Sequence, residues 1–154
     1  MTIATRFSIA VHVLMLLDAG PDGAATSEWM AASVGVNPVT VRTVVGLLRR
    51  AGIVHTQQGV SGARLARPLA QITLLDVYRA VERTRGLFSI HAKPNPACPV
   101  GANIQAALEG CFSSAQAALE ATLEATNLQQ VLDDVLQRAG RERAHVQTNG
   151  GEHP

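Results

Sequence analysis

The sequence predicts a mainly α-helical fold, a winged helix-turn-helix domain followed by a long C-terminal helix, and three observations support this prediction. Two helix-patterned segments are joined by a short turn that contains glycine. Two short segments of β-strand character, separated by glycines, follow them in the pattern of a hairpin. An alanine-rich segment near the C-terminus has the apolar periodicity of one long helix. The order helix, turn, helix and hairpin is that of a winged helix-turn-helix.

The composition is that of a globular chain. Its 154 residues are 47% hydrophobic and 16% charged, which supplies enough apolar material for a core and excludes wholesale disorder. The apolar run 7–17 is too short to span a bilayer and contains Ser8 and His12. We therefore expect a core helix there, not a signal peptide or a membrane anchor. A cytoplasmic location follows as an expectation, and in that compartment Cys98 and Cys111 would stay reduced.

The first two helices have identifiable limits. A near-continuous apolar pattern over 5–19 predicts a helix buried on most sides, which the sequence Gly-Pro-Asp-Gly at 20–23 ends. The second helix begins at Thr26 or Ser27, because either hydroxyl can cap the free amide groups of the first turn. It ends before Gly35, a residue that tolerates a left-handed turn.

The third helix and the hairpin follow. Asn37 is the predicted N-cap and Pro38 the first helical residue of a helix that runs to Arg50. The segments 53–56 and 63–66 are predicted strands with an irregular, glycine-containing tip between them.

The remaining chain is predicted to be helical on both sides of a long loop. Thr73 caps a fourth helix, and residues 85–101 contain three prolines that indicate a loop. A long helix over 102–125 and a short one over 128–138 complete the fold. The predicted domains are a winged helix-turn-helix at 1–84, a loop with dimerisation helices at 85–138, and a disordered tail at 139–154.

The charge of the chain is unevenly distributed. Residues 1–90 contain nine arginines and five acids, whereas residues 91–154 contain four lysines and arginines and seven acids. A basic first half and an acidic second half favour a polyanionic partner for the first half only.

The outward face of the third helix carries side chains that suit double-stranded DNA. Asn37 and Arg42 can hydrogen-bond base edges, and the methyl groups of Val39 or Thr40 can contact a thymine methyl. Arginines at the end of the helix can reach phosphates. The predicted DNA-contacting residues are Thr26, Ser27, Asn37, Pro38, Val39, Thr40, Arg42, Thr43, Arg49, Arg50, Gln58 and Arg64.

Several of these segments together resemble the Rrf2 family of regulators. They are Thr-Arg-Phe-Ser-Ile-Ala-Val-His at 5–12, Asn-Pro-Val-Thr-Val-Arg at 37–42, Gly-Leu-Leu-Arg-Arg-Ala-Gly-Ile-Val at 46–54, and the stretches 64–68 and 72–82. The resemblance covers residues 1–138. It implies a homodimer whose long helix crosses the partner, and a transcriptional role that is more often repression. It also implies that the third helix reads the major groove and that the wing enters the minor groove.

The wing tip departs from the family pattern. Where the family often has Arg-Gly-Pro-Gly-Gly-Gly, residues 58–63 read Gln-Gly-Val-Ser-Gly-Ala. The neutral amide of Gln58 replaces a guanidinium that would suit a narrow, electronegative minor groove. We expect wing contacts that are weaker or shifted to Arg64, with no strong preference for A-tracts.

The cysteine content is the second departure. Family members that hold an iron–sulfur cluster have three cysteines in the loop before the long helix, whereas this loop has only Cys98. A cluster needs four ligands. Even if His91 and His12 joined Cys98, the set would hold only three, so we expect no iron–sulfur cluster and no other cofactor or metal.

Cys98 is a candidate for thiol chemistry instead. It precedes the long helix, whose positive N-terminal end favours a thiolate, so Cys98 is a plausible oxidation sensor. The alternative is that both cysteines are inert packing residues.

The apolar stripe on the long helix predicts a homodimer interface and hence a pseudo-palindromic operator. The predicted interface residues are Ile104, Leu108, Cys111, Phe112, Ala115 and Leu119.

Other functions remain open at this point. A regulator of the same fold could sense an iron–sulfur cluster or a small molecule. An enzyme with Cys98 as nucleophile and His91 as base would lack an orienting third group and an oxyanion site, so we do not expect an enzyme. The neutral wing at Gln58 would suit an interaction module that has lost DNA binding.

Overall fold

The computed structural model describes residues 3–20, 25–56, 62–82 and 86–149, and it confirms the predicted fold class. Helices predominate, and one two-stranded sheet accompanies them. The elements are α1 (Ile3–Ala19), α2 (Ser27–Val34), α3 (Pro38–Arg50), β1 (Val54–Thr56), β2 (Ala63–Leu65), a 3-10 helix (Leu69–Gln71), α4 (Leu74–Val81), α5 (Pro99–Glu124) and α6 (Leu128–Asn149).

The predicted limits of α2 and α3 are confirmed. The Thr26 hydroxyl accepts a hydrogen bond of 3.2 Å from the Trp29 amide, and Gly35 ends α2 with a positive φ of 74°. The Asn37 side-chain oxygen accepts a bond of 2.8 Å from the Val39 amide and caps α3. Each helix thus begins and ends where its capping residue satisfies free backbone groups.

The two helices α2 and α3 meet at 107°, within the range of a helix-turn-helix. No single helix among the described residues is long and apolar enough to cross a membrane. This pair reaches that length and hydropathy only when its two helices are taken together across the bend.

The hairpin is shorter than predicted but has the expected order. β1 and β2 are antiparallel, with His55 opposite Arg64 and Thr56 opposite Ala63. One further backbone bond, from the Ala66 amide to the Ile53 carbonyl, extends the pairing beyond the strands. The wing tip, including Gln58, lies outside the described residues.

One hydrophobic core joins the N-terminal helices to the start of α6. α1 lies at its centre, as its near-continuous apolar pattern predicts, and Ala10, Val13 and Leu14 are fully buried. α3 contributes Val41, Val44 and Leu48, and Leu128 at the start of α6 is equally inaccessible. The first turn of α6 therefore belongs to the core of the winged domain, although the sequence places it in a separate C-terminal unit.

Backbone hydrogen bonds fix this attachment. The Leu74 amide donates to the Thr126 carbonyl, and the Leu128 amide donates to the Ile72 carbonyl, both at 2.9 Å. Residues 126–128 are consequently held against the start of α4 as a short extended pair.

The two C-terminal helices are longer than predicted. α5 begins at Pro99 and not at residue 102, because proline fits the first helical position, where its missing N–H costs nothing. α6 continues to Asn149 and does not end at Arg138, so this helix extends into the segment that was predicted to be a disordered tail. An ion pair of 2.7 Å between Arg138 and Asp134, one helical turn apart, supports the helix at the predicted end.

The N-terminus of α4 carries a reciprocal capping arrangement. The Thr73 hydroxyl accepts from the Asp76 amide, the Asp76 carboxylate accepts from the Thr73 amide, and Arg67 lies 3.2 Å from the same carboxylate. Burial raises the pKa of Asp76, but the hydrogen bonds from Thr73 and Arg67 outweigh it and hold that pKa below its ordinary value of 3.8.

We expect Asp76→Asn to remove part of the acid sensitivity of the fold. Since the pKa of Asp76 is lower in the folded chain, its carboxylate stabilises the fold above pH 3.8, and this contribution is lost as the pH falls through the lower folded value. The side chain is 40% exposed, so solvent screening limits the effect to less than about 1 kcal/mol. Urea unfolding at about pH 7 and about pH 3, at one protein concentration, measures it.

The control is Asp134→Asn, which removes an exposed carboxylate paired within one helix. We expect this variant to keep the acid sensitivity of the wild type. An unchanged acid sensitivity in Asp76→Asn would contradict the assignment.

Candidate nucleic-acid interface

The outward side of α3, together with the N-terminus of α2 and the base of the hairpin, forms the candidate surface. On α3, Arg42 and Thr43 are exposed and Val39 is 60% exposed, whereas Val41 and Val44 are fully buried. The structure thus places Val39, Arg42 and Thr43 on the solvent side and Val41 and Val44 against the core, as helical periodicity requires.

The two threonines on this part of α3 differ in what they offer to a partner. The Thr43 hydroxyl donates a hydrogen bond of 2.9 Å to the Val39 carbonyl of its own helix. Its methyl group is then the part of the side chain that is left to contact a partner. Thr40 is half-buried. Val39 and Thr43 therefore form a small apolar patch that suits a thymine methyl.

Asn37 is already engaged in capping. Its side-chain oxygen already accepts from the Val39 amide, so its N–H groups are the part of the amide that is fully available to a partner. Reading adenine with both amide atoms would require the same oxygen to accept a second hydrogen bond while it caps α3. Asn37 is therefore better suited to donating to a phosphate than to reading a base. Pro38, the next residue, is half-buried.

A cleft brings the N-terminus of α2 next to the hairpin. The residues that line it include Thr26, Ser27, Glu28, Arg49, Thr56 and Gly62. The Arg49 guanidinium lies 3.5 Å from the Thr56 hydroxyl, at the limit of a hydrogen bond. Amide groups at a helix N-terminus and an arginine facing the same opening suit an anionic oxygen.

The two other predicted arginines are exposed at the edges of this surface. Arg50 ends α3, and Arg64 lies on β2 opposite His55.

An acidic residue that the sequence analysis left out lies on the same surface. The Glu28 carboxylate, in the first turn of α2, forms an ion pair of 2.7 Å with the Arg42 guanidinium of α3. The hydrogen bond to a backbone amide, followed by the bond from Arg42, lowers the pKa of Glu28 below its ordinary value. The sequence contains one signal that could have identified it, because Glu28 is the only acidic residue between positions 23 and 75.

The predicted thiol lies at the N-cap of α5. Cys98 is exposed, and although no capping hydrogen bond reaches its sulfur, the amide groups of Gly101 and Val100 face it closely enough to lower its pKa from the ordinary 9.0. This confirms the expected position just before the helix.

The metal-ligating residues that the sequence offered are not brought together. Cys111 is thirteen residues further along α5, roughly 20 Å along the helix axis. His12 shares a hydrogen bond with Ser33 between α1 and α2, and no group of three potential ligands occurs among the described residues. The described residues of one chain therefore bring fewer potential ligands together than the four that an iron–sulfur cluster needs. His91 is exposed in the loop.

α5 is only partly covered by its own chain. All of its residues are described, and none is buried. Cys111 and Ala115 are exposed, and the larger predicted interface residues, Ile104, Leu108, Phe112 and Leu119, are half-buried. Phe112 stacks on Phe88 of the preceding loop with ring centroids 4.8 Å apart, so its outer face is partly covered within the chain.

Sequence comparison connects this arrangement with known regulators. The profile of the Rrf2 family, described as an iron-dependent transcriptional regulator, matches residues 3–134. YwnA of Bacillus subtilis (strain 168), whose name calls it an HTH-type transcriptional regulator, is 44% identical over 131 residues. These residues are 85% of this chain and 97% of YwnA.

Two solved structures share the fold. The crystal structure of a protein described as DNA-binding has a TM-score of 0.68 and 40% identity, and the match covers 82% of this chain and 98% of that one. A structure described as a transcriptional regulator from Lactobacillus plantarum has a TM-score of 0.73 and 28% identity, and covers 94% and 97% respectively. The likeness therefore extends beyond the winged domain into the C-terminal helices.

Proposed function

This chain belongs to the Rrf2 family of DNA-binding transcriptional regulators, and we propose that it acts as a homodimeric repressor that recognises a pseudo-palindromic operator. The observation that carries the proposal is the two-sided character of α3. Its inner face is fully buried while Val39, Arg42 and Thr43 lie exposed on the outer face. Such a helix, braced at 107° by the one before it, suits insertion into the major groove.

In the proposed complex each part of the surface has a separate role. Arg42 reads a base edge, and the Val39 and Thr43 methyl groups contact thymine. Arg49, Arg50 and the N-terminus of α2 hold phosphates, which supplies affinity without sequence preference. The wing approaches the minor groove through Arg64.

The homodimer is supported by the uncovered face of α5. Exposed small residues recur every three or four positions along it, at 107, 111, 115 and 118. Small side chains allow a second helix to approach closely, and two-fold symmetry would place two copies of α3 about one duplex turn apart. A dimer bound across a promoter represses by occupying it, and this role would place the protein with the chromosome in the cytoplasm.

The signal is proposed to be thiol oxidation at Cys98. An exposed thiol with a lowered pKa is more often in the thiolate form, which attacks peroxide. One oxygen atom is transferred to sulfur to give a sulfenic acid, and the other leaves as water after protonation. The donor set argues against an iron–sulfur cluster as sensor. An enzyme with Cys98 as nucleophile is disfavoured, because the family consists of transcriptional regulators. A thiol that only responds to oxidation needs no catalytic base.

We expect Arg42→Ala and Arg50→Ala to weaken DNA binding in different ways. Loss of a base contact at Arg42 should cost about 1 to 3 kcal/mol on the preferred duplex and relax preference at one position per half-site. Loss of a phosphate contact at Arg50 should weaken binding to all duplexes and reduce the salt slope by about 0.9 per contact. Titrations of native upstream DNA and a scrambled duplex at several salt concentrations measure both effects. If neither variant binds differently from the wild type, the groove assignment is wrong.

We expect Ala115→Glu to dissociate the dimer. A carboxylate buried between two helices is left without a partner, so dimer affinity should fall on the order of tenfold or more. Ala106→Glu is the control, because residue 106 is exposed and lies nine positions away, on the opposite side of α5. Sedimentation velocity of both variants distinguishes them. Equal dimerisation of the two variants would contradict the proposed interface.

We expect peroxide to reduce the operator affinity of the wild type but not that of Cys98→Ser. The serine hydroxyl keeps the size of the side chain and cannot form a sulfenic acid. Cys111→Ser serves as the control and should respond like the wild type. The redox role is refuted if the wild type and Cys98→Ser are equally insensitive to peroxide.

A further inference from the structure

We propose that Glu28 is a positioning residue that aims the Arg42 guanidinium at guanine and so determines the base preference at one position of each half-site. This inference rests on the proposed function, because it requires that Arg42 face the major groove. Neither residue is part of the core, so the pair is available to act in recognition.

The geometry of the pair restricts one side of the guanidinium. The Arg42 Nη2 atom donates to the Glu28 Oε1 atom at 2.7 Å, the short distance of a charge-assisted hydrogen bond. Arginine has five N–H donors, and guanine offers two acceptors, O6 and N7, that take two of them in parallel. One carboxylate contact therefore leaves enough donors for guanine while it fixes the plane in which they lie.

The charges around Glu28 indicate that it does not serve to strengthen DNA binding. The segment 23–75 contains five arginines and, as its single acid, Glu28. A carboxylate on a surface that faces phosphates opposes binding to every sequence alike. Its presence beside Arg42 is explained if the pair prevents the guanidinium from turning to a phosphate, where it would bind without reading a base.

The exposure of the pair argues for preorganisation and against a structural role. The two side chains are 57% and 66% exposed, and ion pairs this exposed contribute little to folding. A solvated arginine samples many rotamers, and fixing one of them on binding costs conformational entropy. The carboxylate restricts those rotamers in the free protein, since it sits on α2, a separate helix that packs against α3.

The test is selection from a random duplex library by the full chain, followed by sequencing. The proteins are the wild type, Glu28→Ala, Glu28→Gln, Arg42→Ala and the double variant Glu28→Ala/Arg42→Ala. Asp134→Ala is the matched control, because it removes the same charge from an ion pair of the same 2.7 Å length on α6. Circular dichroism checks that each variant is folded.

We expect the wild type and Asp134→Ala to enrich guanine at one position of each half-site. Glu28→Ala should lower that preference by roughly tenfold, within the range for loss of one well-oriented arginine contact, while its binding to unselected DNA stays equal or increases. Glu28→Gln, whose amide oxygen can still accept one hydrogen bond, should fall between the two. In the Arg42→Ala background, removal of Glu28 should change no base preference, because there is no guanidinium left to position.

Three results would overturn the inference. If Glu28→Ala keeps the guanine preference and only binds all duplexes more tightly, Glu28 is merely a repulsive charge. If Glu28→Ala alters base preference equally with and without Arg42, Glu28 contacts a base directly. If the wild type itself enriches no sequence, the proposed function fails and the inference fails with it, an outcome distinct from the first two, in which the wild type selects a motif.

Discussion

The burial of the inner face of α3 is the constraint on which the rest of the surface depends. Val41, Val44 and Leu48 are fully buried, and burying an aliphatic side chain of this size contributes about 1.5 to 3 kcal/mol. The exposed hydrogen bonds and ion pair on the outer face contribute less than that. The core therefore fixes which way Val39, Arg42 and Thr43 point, and those outward residues can vary without turning the helix.

α5, unlike α3, has no buried face within its own chain. Its twenty-six residues include none that is buried, although alanines and other apolar residues recur along it. Its own chain holds it through a few contacts, among them the ion pair of 2.6 Å between Arg79 and Glu120 and the stacking of Phe112 on Phe88. Helices in water gain most of their stability from packing, so a second copy on the free side would stabilise α5. On the proposed function, the second half of the chain completes its fold in the dimer.

The sequence predicts what short-range chemistry controls. Asn37 and Thr73 were predicted as N-caps and both cap, and of the two candidates for α2 the cap is Thr26, because a side chain that can satisfy free amides acts within three residues of itself. The pairing of Glu28 with Arg42 was missed, since it depends on the angle at which α2 crosses α3, which no local pattern specifies. The length of α6 was missed for a different reason: Gly140 lies just beyond the end predicted at residue 138, but one glycine costs about 1 kcal/mol in a helix and does not stop it.

α5 links Cys98, the proposed thiol sensor, to α4 of the winged domain. Cys98 occupies the N-cap position of α5, and Glu120, about 33 Å further along the axis, accepts hydrogen bonds from Arg79 of α4 and from Gln116. The Gln116 side-chain oxygen in turn accepts from the Leu87 amide of the loop that leads to Cys98. A change at the thiol that tilts α5 would therefore move α4 and, in a dimer, alter the distance between the two copies of α3. Because two half-sites one duplex turn apart accept only a narrow range of spacings, such a tilt would weaken both contacts at once. Base preference would then depend on α2 and α3, and occupancy of the operator on α5.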